Sequence, residues 1–138
     1  MLGSQILVAY DGSKLAQQAL EEALDLTQLN PLTQIDVVFV DEVTLLRTGA
    51  ETINDEIQEK NDRTCADLQA KLKGRKERIS FHRLRGQSAS YVLLRFAEEN
   101  RSDLIILGSR GLTGVREMLG SVSHAVVQHA LVPVLVIK

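Results

Sequence analysis

The chain has little of the residues that mark several common classes of protein. It holds one cysteine and no tryptophan among 138 residues, and aromatic side chains are 4% of the total. One cysteine excludes an internal disulfide framework and a zinc site of several cysteines, and it is typical of a reducing compartment. The formal net charge is −2, whereas a nucleic-acid surface combines excess positive charge with stacking aromatic residues. We therefore expect no nucleic-acid partner.

Long apolar runs are absent as well. The longest run covers residues 131–137 and contains Pro133, whereas a membrane-spanning helix needs about 20 apolar residues. The first residues lack the basic stretch and the following apolar stretch of a signal peptide. These observations predict a cytoplasmic protein with no membrane partner.

The composition that remains is that of one globular domain. Hydrophobic residues are 44% and charged residues 25% of the chain, which is more apolar and less charged than a disordered chain. A length of 138 residues is usual for one domain, so we expect a single domain over residues 1–138.

Short apolar runs alternate with stretches in which apolar residues recur at helical spacing. The runs predict strands buried on both faces, and the stretches predict amphipathic helices. This alternation predicts an α/β fold with a doubly wound parallel sheet and right-handed crossovers. Residues 43–56 follow neither pattern, and we expect an irregular excursion there. The five predicted strands cover residues 5–10, 35–40, 78–84, 104–107 and 134–137, with four predicted helices between them.

Several side chains outside the glycine-rich segments carry expectations of their own. Ile57 and Cys65 lie on the apolar stripe of the second predicted helix, so we expect both to be packed. His82 lies in the third predicted strand, and we expect it to face outward. His124 and His129 lack the i, i+4 spacing of zinc-binding pairs on a helix, so no metal site is expected there.

A glycine-rich segment follows the fourth predicted strand. It reads GSRGLTG at 108–114, and a second segment, GSVS at 120–123, opens the fourth predicted helix. Glycine lets backbone amides approach a ligand, and a helix start adds N–H groups with a partial positive charge, so together they suit phosphate. Arg110 adds a cation, and Ser121 and Ser123 either donate hydroxyls to the ligand or cap the helix. The segment matches neither a P-loop nor a dinucleotide fingerprint.

Asp11 ends the first predicted strand. If the strand order is 3-2-1-4-5, the first and fourth strands are neighbours where the order reverses, and such sheets bind ligands beyond the carboxyl ends of the strands at that point. Asp11 and Gly108 then face one crevice, where a carboxylate accepts hydrogen bonds from ribose hydroxyls. The alternative interpretation is a turn-forming aspartate beside a tight strand-to-helix connection.

These segments together resemble the universal stress protein family over essentially the whole chain. The resemblance implies a five-stranded parallel sheet of order 3-2-1-4-5 with four main helices, a Rossmann-like fold similar to that of the adenine nucleotide alpha hydrolases. It rests on VAYDGS at 8–13, VVFVD at 37–41, LIILGSRGLTG at 104–114, GSVSHAV at 120–126 and VPVLVIK at 132–138.

The ATP-binding branch of that family carries the motif G-x2-G-x9-G-[ST]. Gly108 and Gly111 match its first pair, and Gly120 with Ser121 matches its end. Only eight residues, 112–119, separate Gly111 from Gly120, so the motif is one residue short. Every ligand-type residue is present, and the resemblance therefore implies an ATP site.

The resemblance also implies a role for each site residue. Asp11 matches the residue that contacts ribose and the nearby phosphate, and the backbone of Val40 matches the position that hydrogen-bonds adenine. Gly108 matches the glycine next to the ribose. Mg²⁺ accompanies ATP and is held mainly by the phosphates, so no protein metal ligand is implied. The phosphate-binding backbone is implied for Gly111, Gly120, Ser121 and Val122, with an added hydroxyl from Ser123.

The resulting hypothesis is a universal stress protein that binds ATP as a regulatory or sensing ligand in the stress response. A slow ATP hydrolase and a nucleotide-free dimeric interaction module are the alternatives. The chain lacks a P-loop lysine and a G-x-S-x-G nucleophile elbow, so we expect no enzyme and no catalytic residue. Slow hydrolysis by positioning alone stays open.

Self-association is expected with any of these functions. The last predicted strand, Val134–Ile137, is apolar, and we place it at an edge of the sheet, where an unprotected strand invites pairing. The resemblance implies antiparallel pairing of this strand between two copies. We therefore expect a symmetric homodimer.

Overall fold

Five parallel strands form one central sheet in the computed structural model, which describes residues 2–111 and 118–138. Four helices connect the strands, and two further short strands form a small antiparallel hairpin. The strands are β1 (Gln5–Ala9), β2 (Gln34–Glu42), the hairpin strands β3 (Thr44–Leu45) and β4 (Glu51–Thr52), β5 (Arg78–Gly86), β6 (Leu104–Gly108) and β7 (Val134–Ile137). The helices are α1 (Lys14–Leu26), α2 (Asp55–Leu72), α3 (Ala89–Glu99) and α4 (Ser121–His129).

The strands of the main sheet lie in the order β5-β2-β1-β6-β7. Counted along the chain, this is the predicted order 3-2-1-4-5, and every neighbouring pair is parallel. The prediction of a doubly wound α/β fold is therefore confirmed. The strand order reverses between β1 and β6, which is where such sheets place their ligand crevice.

Alternate residues of the strands supply two apolar cores, one on each face of the sheet. Ile6 and Val8 of β1 pack with α1 and α2, whereas Leu7 packs with α3 and α4. All three are 0% exposed, which explains why β1 is a continuous apolar run rather than an alternating one. Cys65 is buried in the first core, as predicted.

The excursion predicted at 43–56 contains the β3–β4 hairpin, and α2 begins directly after it with Asn54 as its N-cap. Ile57 is 52% exposed, so the prediction that it is packed is wrong. Only Cys65 and Leu68 of α2 are buried. A helix of this length spans about 27 Å, and all of its buried residues lie in its second half.

A buried carboxylate interrupts the apolar run of β2. Asp36 is 6% exposed, accepts a hydrogen bond of 2.6 Å from the Gln5 side chain, and lies 2.9 Å from Nε2 of His82. His82 is half-buried, and its ring contacts the Phe96 ring at a centroid distance of 4.8 Å. The prediction that His82 faces outward is therefore wrong. A buried carboxylate needs polar partners, and His82 is one of them.

One side chain ties the start of β1 to the start of β6. The Asp103 carboxylate accepts hydrogen bonds from the backbone N–H groups of Gly3, Ser4 and Gln5, at 2.7, 3.0 and 3.0 Å. These partners are 98 to 100 residues away along the chain. The contact therefore joins two strands that are neighbours in space and distant in sequence.

Candidate functional site

A cavity of about 300 Å³ opens at the carboxyl ends of β1, β2 and β6, where the strand order reverses. Its volume is at the lower end of the range usual for small-molecule sites. Every site residue predicted from the sequence lines this cavity. They are Asp11, Val40, Gly108, Arg110, Gly111, Gly120, Ser121, Val122 and Ser123.

The amino-terminal ends of three helices border the cavity, through Ser13 before α1, Ala89 of α3 and Ser121 of α4. Each helix start carries N–H groups without an intrahelical partner and a partial positive charge. The ends of α1 and α3 are capped by serine side chains, at Ser13 and Ser88. The N-cap of α4 is Gly120, which has no side chain to serve as a cap. The start of α4 is therefore the one best suited to an anion.

The base of the loop before α4 is closed by short hydrogen bonds. Gly120 N–H donates to the Ser109 carbonyl at 2.7 Å. The Ser123 hydroxyl, which is buried, lies 2.6 Å from the same carbonyl and 3.0 Å from that of Gly120. The prediction that a serine caps α4 is wrong, because Gly120 is the N-cap and the Ser123 hydroxyl contacts these loop carbonyls instead of a helix N–H. Residues 112–117 of the shortened interval lie outside the described residues, and the glycines that flank the interval are close together, since a Cβ added at Gly120 would be 3.7 Å from Gly111 N.

Gly111 lies directly against the Asp11 carboxylate. A Cβ added at Gly111 would be 2.7 Å from Oδ2 of Asp11, so a side chain there would displace the carboxylate. The other oxygen, Oδ1, accepts a hydrogen bond of 2.9 Å from Ser13 N–H, which orients the group. Asp11 is exposed at the cavity mouth. A carboxylate oxygen therefore stands beside the backbone of the glycine loop.

Close packing also explains Gly108. A Cβ on this residue would be 2.7 Å from Cβ of Leu15 in α1, so glycine lets α1 approach the end of β6. The Arg110 guanidinium extends from the same loop, with Nη1 3.4 Å from Oγ of Ser109. Both residues line the cavity.

The backbone of Val40 faces the open space beyond the last residue of β1. Tyr10 N–H donates to the Val38 carbonyl at 3.0 Å, so the backbone groups of Val38 point toward β1. The direction of the backbone groups alternates from one residue to the next along a strand. The N–H and C=O of Val40, two residues after Val38, therefore also point toward the β1 side. The register between β1 and β2 ends with Ala9 opposite Val38. Val40 thus presents one hydrogen-bond donor and one acceptor toward the cavity.

Several residues that line the cavity were not predicted from the sequence. Tyr10 is 6% exposed, and burial, followed by the charge of the adjacent Asp11, raises the pKa of its phenol. Glu42 adds a second carboxylate to the lining. Ala89 and Leu93 come from α3, and no local pattern indicates that this helix begins at the cavity. Only the position of Tyr10, next to Asp11 at a strand end, was a signal that sequence reasoning could have used.

Neither a membrane span nor a clustered metal site occurs in the part of the chain that the structure describes. None of its helices is long and apolar enough to cross a bilayer. No three His, Cys, Asp or Glu side chains there come together as metal ligands.

Proteins of known family match this chain along its length. The model of the universal stress protein family matches residues 4–138. The universal stress protein YxiE of Bacillus subtilis is 28% identical, over 98% of this chain and 99% of that protein.

Solved structures share the fold. The universal stress protein UspA from Lactobacillus plantarum aligns with a TM-score of 0.78 at 24% identity, covering 100% of this chain and 99% of that chain. The universal stress protein from Archaeoglobus fulgidus in complex with dAMP aligns with a TM-score of 0.70 at 23% identity, covering 100% of both chains. With the family match over residues 4–138, these findings establish that the chain belongs to the universal stress protein family.

Proposed function

We propose that this protein binds an adenine nucleotide, with ATP as the ligand, in the cavity at the carboxyl ends of β1, β2 and β6. In this proposal the nucleotide is a regulatory or sensing ligand in the stress response. One observation carries it: the start of α4, which has no side-chain cap, and the backbone of Val40 face the same cavity. The structure of the Archaeoglobus fulgidus relative with dAMP supports the ligand class.

The proposed pose follows from the chemistry of each wall. The phosphates lie at the start of α4, where the N–H groups of Ser121 and Val122 precede the first helical bond from His124 to Gly120. The ribose hydroxyls donate to the Asp11 carboxylate. Adenine exchanges one donor and one acceptor with the backbone of Val40. Arg110 adds positive charge near the phosphates.

Mg²⁺ fits this arrangement as an ion carried by the nucleotide. Asp11 is the carboxylate next to the glycine loop, and one of its oxygens is already held by Ser13 N–H. Because the rest of this carboxylate is assigned to the ribose, the magnesium ion would be held by the phosphates and its own waters, with Asp11 adding negative charge nearby. When bound, it would neutralise phosphate charge.

The test is calorimetric titration with ATP and Mg²⁺, using the variant Gly111→Ala. The added methyl group would be 2.7 Å from Oδ2 of Asp11 and would push the carboxylate away from the position in which it accepts the ribose hydroxyls, so we expect binding to weaken about tenfold, the usual size of one hydrogen bond to a charged group. Gly74→Ala is the control for a general loss of stability, because that glycine has φ 77°, where alanine strains the backbone, and it lies outside the cavity. Equal affinity of both variants would contradict the proposed site.

The two alternatives are distinguished by the same titration together with a measurement of phosphate release. A nucleotide-free interaction module gives no heat and no thermal stabilisation with ATP, even in the unaltered protein. A slow hydrolase releases phosphate at a rate that falls together with affinity in Gly111→Ala. We propose binding without turnover, so phosphate release should stay at the level of the buffer.

We also propose that the protein is a homodimer formed through β7. This strand is the last in the sheet order and pairs with β6 on one side. Its Leu135 is 40% exposed. An apolar strand with an open edge favours pairing with a second copy.

A further inference from the structure

A second cavity, of about 230 Å³, lies at the other end of the sheet. It is bounded by the end of α3, the start of β6 and the connection from α4 to β7. It is therefore separate from the nucleotide cavity at the carboxyl ends of the strands. Its apolar wall consists of Leu94, Ala97, Ile105 and Val132, and its polar rim includes Glu98, Arg101 and His129.

Ser102 lines this cavity and is 4% exposed. Its backbone N–H donates to the Ala97 carbonyl at 2.9 Å, but its hydroxyl has no hydrogen-bond partner among the described residues. Buried hydroxyls are nearly always hydrogen-bonded, because an unsatisfied one destabilises the folded state. The partner of this hydroxyl must therefore come from outside the described residues.

Arg101, which lines the same cavity, has a backbone conformation that is unusual for a residue other than glycine. Ser102 N–H bonds to the Ala97 carbonyl and Arg101 N–H to the Glu98 carbonyl, which is the Schellman pattern that ends a helix. The pattern requires a left-handed residue, and Arg101 has φ 55° where glycine is usual. No ion pair or hydrogen bond holds its guanidinium within residues 2–111 and 118–138. An arginine thus stands at the cavity rim against the local backbone preference.

We propose that this cavity binds a small monocarboxylate with an apolar body. The Arg101 guanidinium donates two parallel bonds to a carboxylate, and the Ser102 hydroxyl, whose oxygen is shielded from solvent, donates a third once its side chain turns toward the ligand. Leu94 and Val132 suit the apolar body. Glu98 at the rim repels a second negative charge, which favours a monoanion over a phosphate dianion. A cavity of about 150 Å³ can hold benzene, so this one has room for a phenyl ring and a short linker.

This inference does not depend on nucleotide binding. The two cavities share no lining residue. Loss of ATP binding in Gly111→Ala would leave it unaffected, and its own failure would leave the nucleotide proposal unaffected. Functional sites are often found where residues depart from local structural preferences. Two such departures, the unpartnered hydroxyl of Ser102 and the left-handed backbone of Arg101, lie in this cavity.

The experiment is a titration of the ¹⁵N-labelled full chain with 3-phenylpropanoate, followed by NMR. We expect saturable shifts at the amides of Ala97, Ser102 and Val132. Arg101→Gly and Ser102→Ala should each weaken binding about tenfold, the usual size of one hydrogen bond to a charged group. Both variants should also unfold at higher urea concentration, because each removes an unfavourable local feature. Weaker binding would then not reflect misfolding.

The control and the opposing outcomes are equally specific. Arg95→Ala removes an arginine of α3 that lies outside the cavity and pairs with Glu99 on an exposed face, so this variant should bind 3-phenylpropanoate normally. Tighter binding of 3-phenylpropylamine, unchanged binding in Ser102→Ala, or no saturable shift would each overturn the proposal. Shifts at the amides of Ala97 and Ser102 on concentrating the protein without ligand would also overturn it, since a second copy would then cover the cavity; a shift at Val132 alone would not, because that residue adjoins β7 and the proposed dimer contact.

Discussion

At the scale of single residues, Asp103 links two strands of the sheet although it lies in a short connection between α3 and β6. Its carboxylate accepts the N–H groups of Gly3, Ser4 and Gln5, so one side chain satisfies three backbone donors at the start of β1. Backbone donors at a strand end otherwise rely on water, and hydrogen bonds to a charged acceptor are the stronger kind. The side chain thereby fixes β1 against β6.

Asp103→Asn should destabilise the protein by about 1–3 kcal/mol, because the amide loses the charge and one of the two acceptor oxygens. Urea unfolding measures this difference. Asp25→Asn, on the exposed face of α1, is the matched control and should stay near the unaltered protein. Equal stability of the two variants would show that water replaces the carboxylate at no cost.

At the scale of elements, α2 depends on polar contacts more than the other helices do. The Asp41 carboxylate at the end of β2 accepts hydrogen bonds from Asn61 of α2, at 2.7 Å, and from Nε of Arg83, at 2.6 Å. Arg83 in turn lies 2.8 Å from Asp62 of α2. Burial raises the pKa of Asp41, but its hydrogen bonds with Arg83 and Asn61 outweigh burial and hold that pKa below its usual range.

This network predicts a loss of stability in acid. The lowered pKa of Asp41 means that its contribution is fully present above about pH 4, the usual pKa of an aspartate, and is lost as the pH falls through the lowered folded value. Urea unfolding at a series of pH values should therefore show a smaller acid dependence in Asp41→Asn. Glu59→Gln changes an exposed carboxylate of α2 and should keep the full dependence. An identical pH profile in Asp41→Asn would contradict this.

The elements also show what sequence patterns can predict. The strands and helices follow from residues close together in sequence, and the crevice follows from the strand order, so both were predictable. Ile57 and His82 were not, because their surroundings depend on how far α2 reaches and on the buried Asp36. The second cavity joins the end of α3 to the α4–β7 connection, which no local pattern brings together. One feature could have indicated this cavity, namely an arginine in a left-handed backbone conformation. It can be recognised only when the end of α3 is known.

At the scale of the whole molecule, the proposed dimer depends on the open edge of β7. Ile105 N–H donates to the Pro133 carbonyl and Ser109 N–H to the Ile137 carbonyl, so the odd-numbered residues of β7 point toward β6. The backbone groups of Val134 and Val136 therefore point away from the sheet. They are the groups that a second copy would pair with.

Val136→Pro should separate the proposed dimer into monomers without disturbing the sheet. Proline removes an N–H that points outward, and edge strands tolerate it there. Light scattering across a dilution series measures the mass. Val136→Thr keeps both the N–H and a β-branched side chain, so it should remain dimeric. A monomeric mass for the unaltered protein, or a dimeric Val136→Pro, would contradict pairing through β7.

The central position of β1 has a consequence for how the chain folds during synthesis. β1 is an early strand, yet one of its two neighbours is β6, which begins at Leu104. At about 5–20 residues per second, a ribosome needs about 5–20 seconds to make the intervening segment. Throughout that interval one edge of a strand that is apolar on both faces has no partner, and such edges promote aggregation. The nascent chain is therefore most vulnerable before β6 emerges, and the clamp by Asp103 closes at the end of that interval.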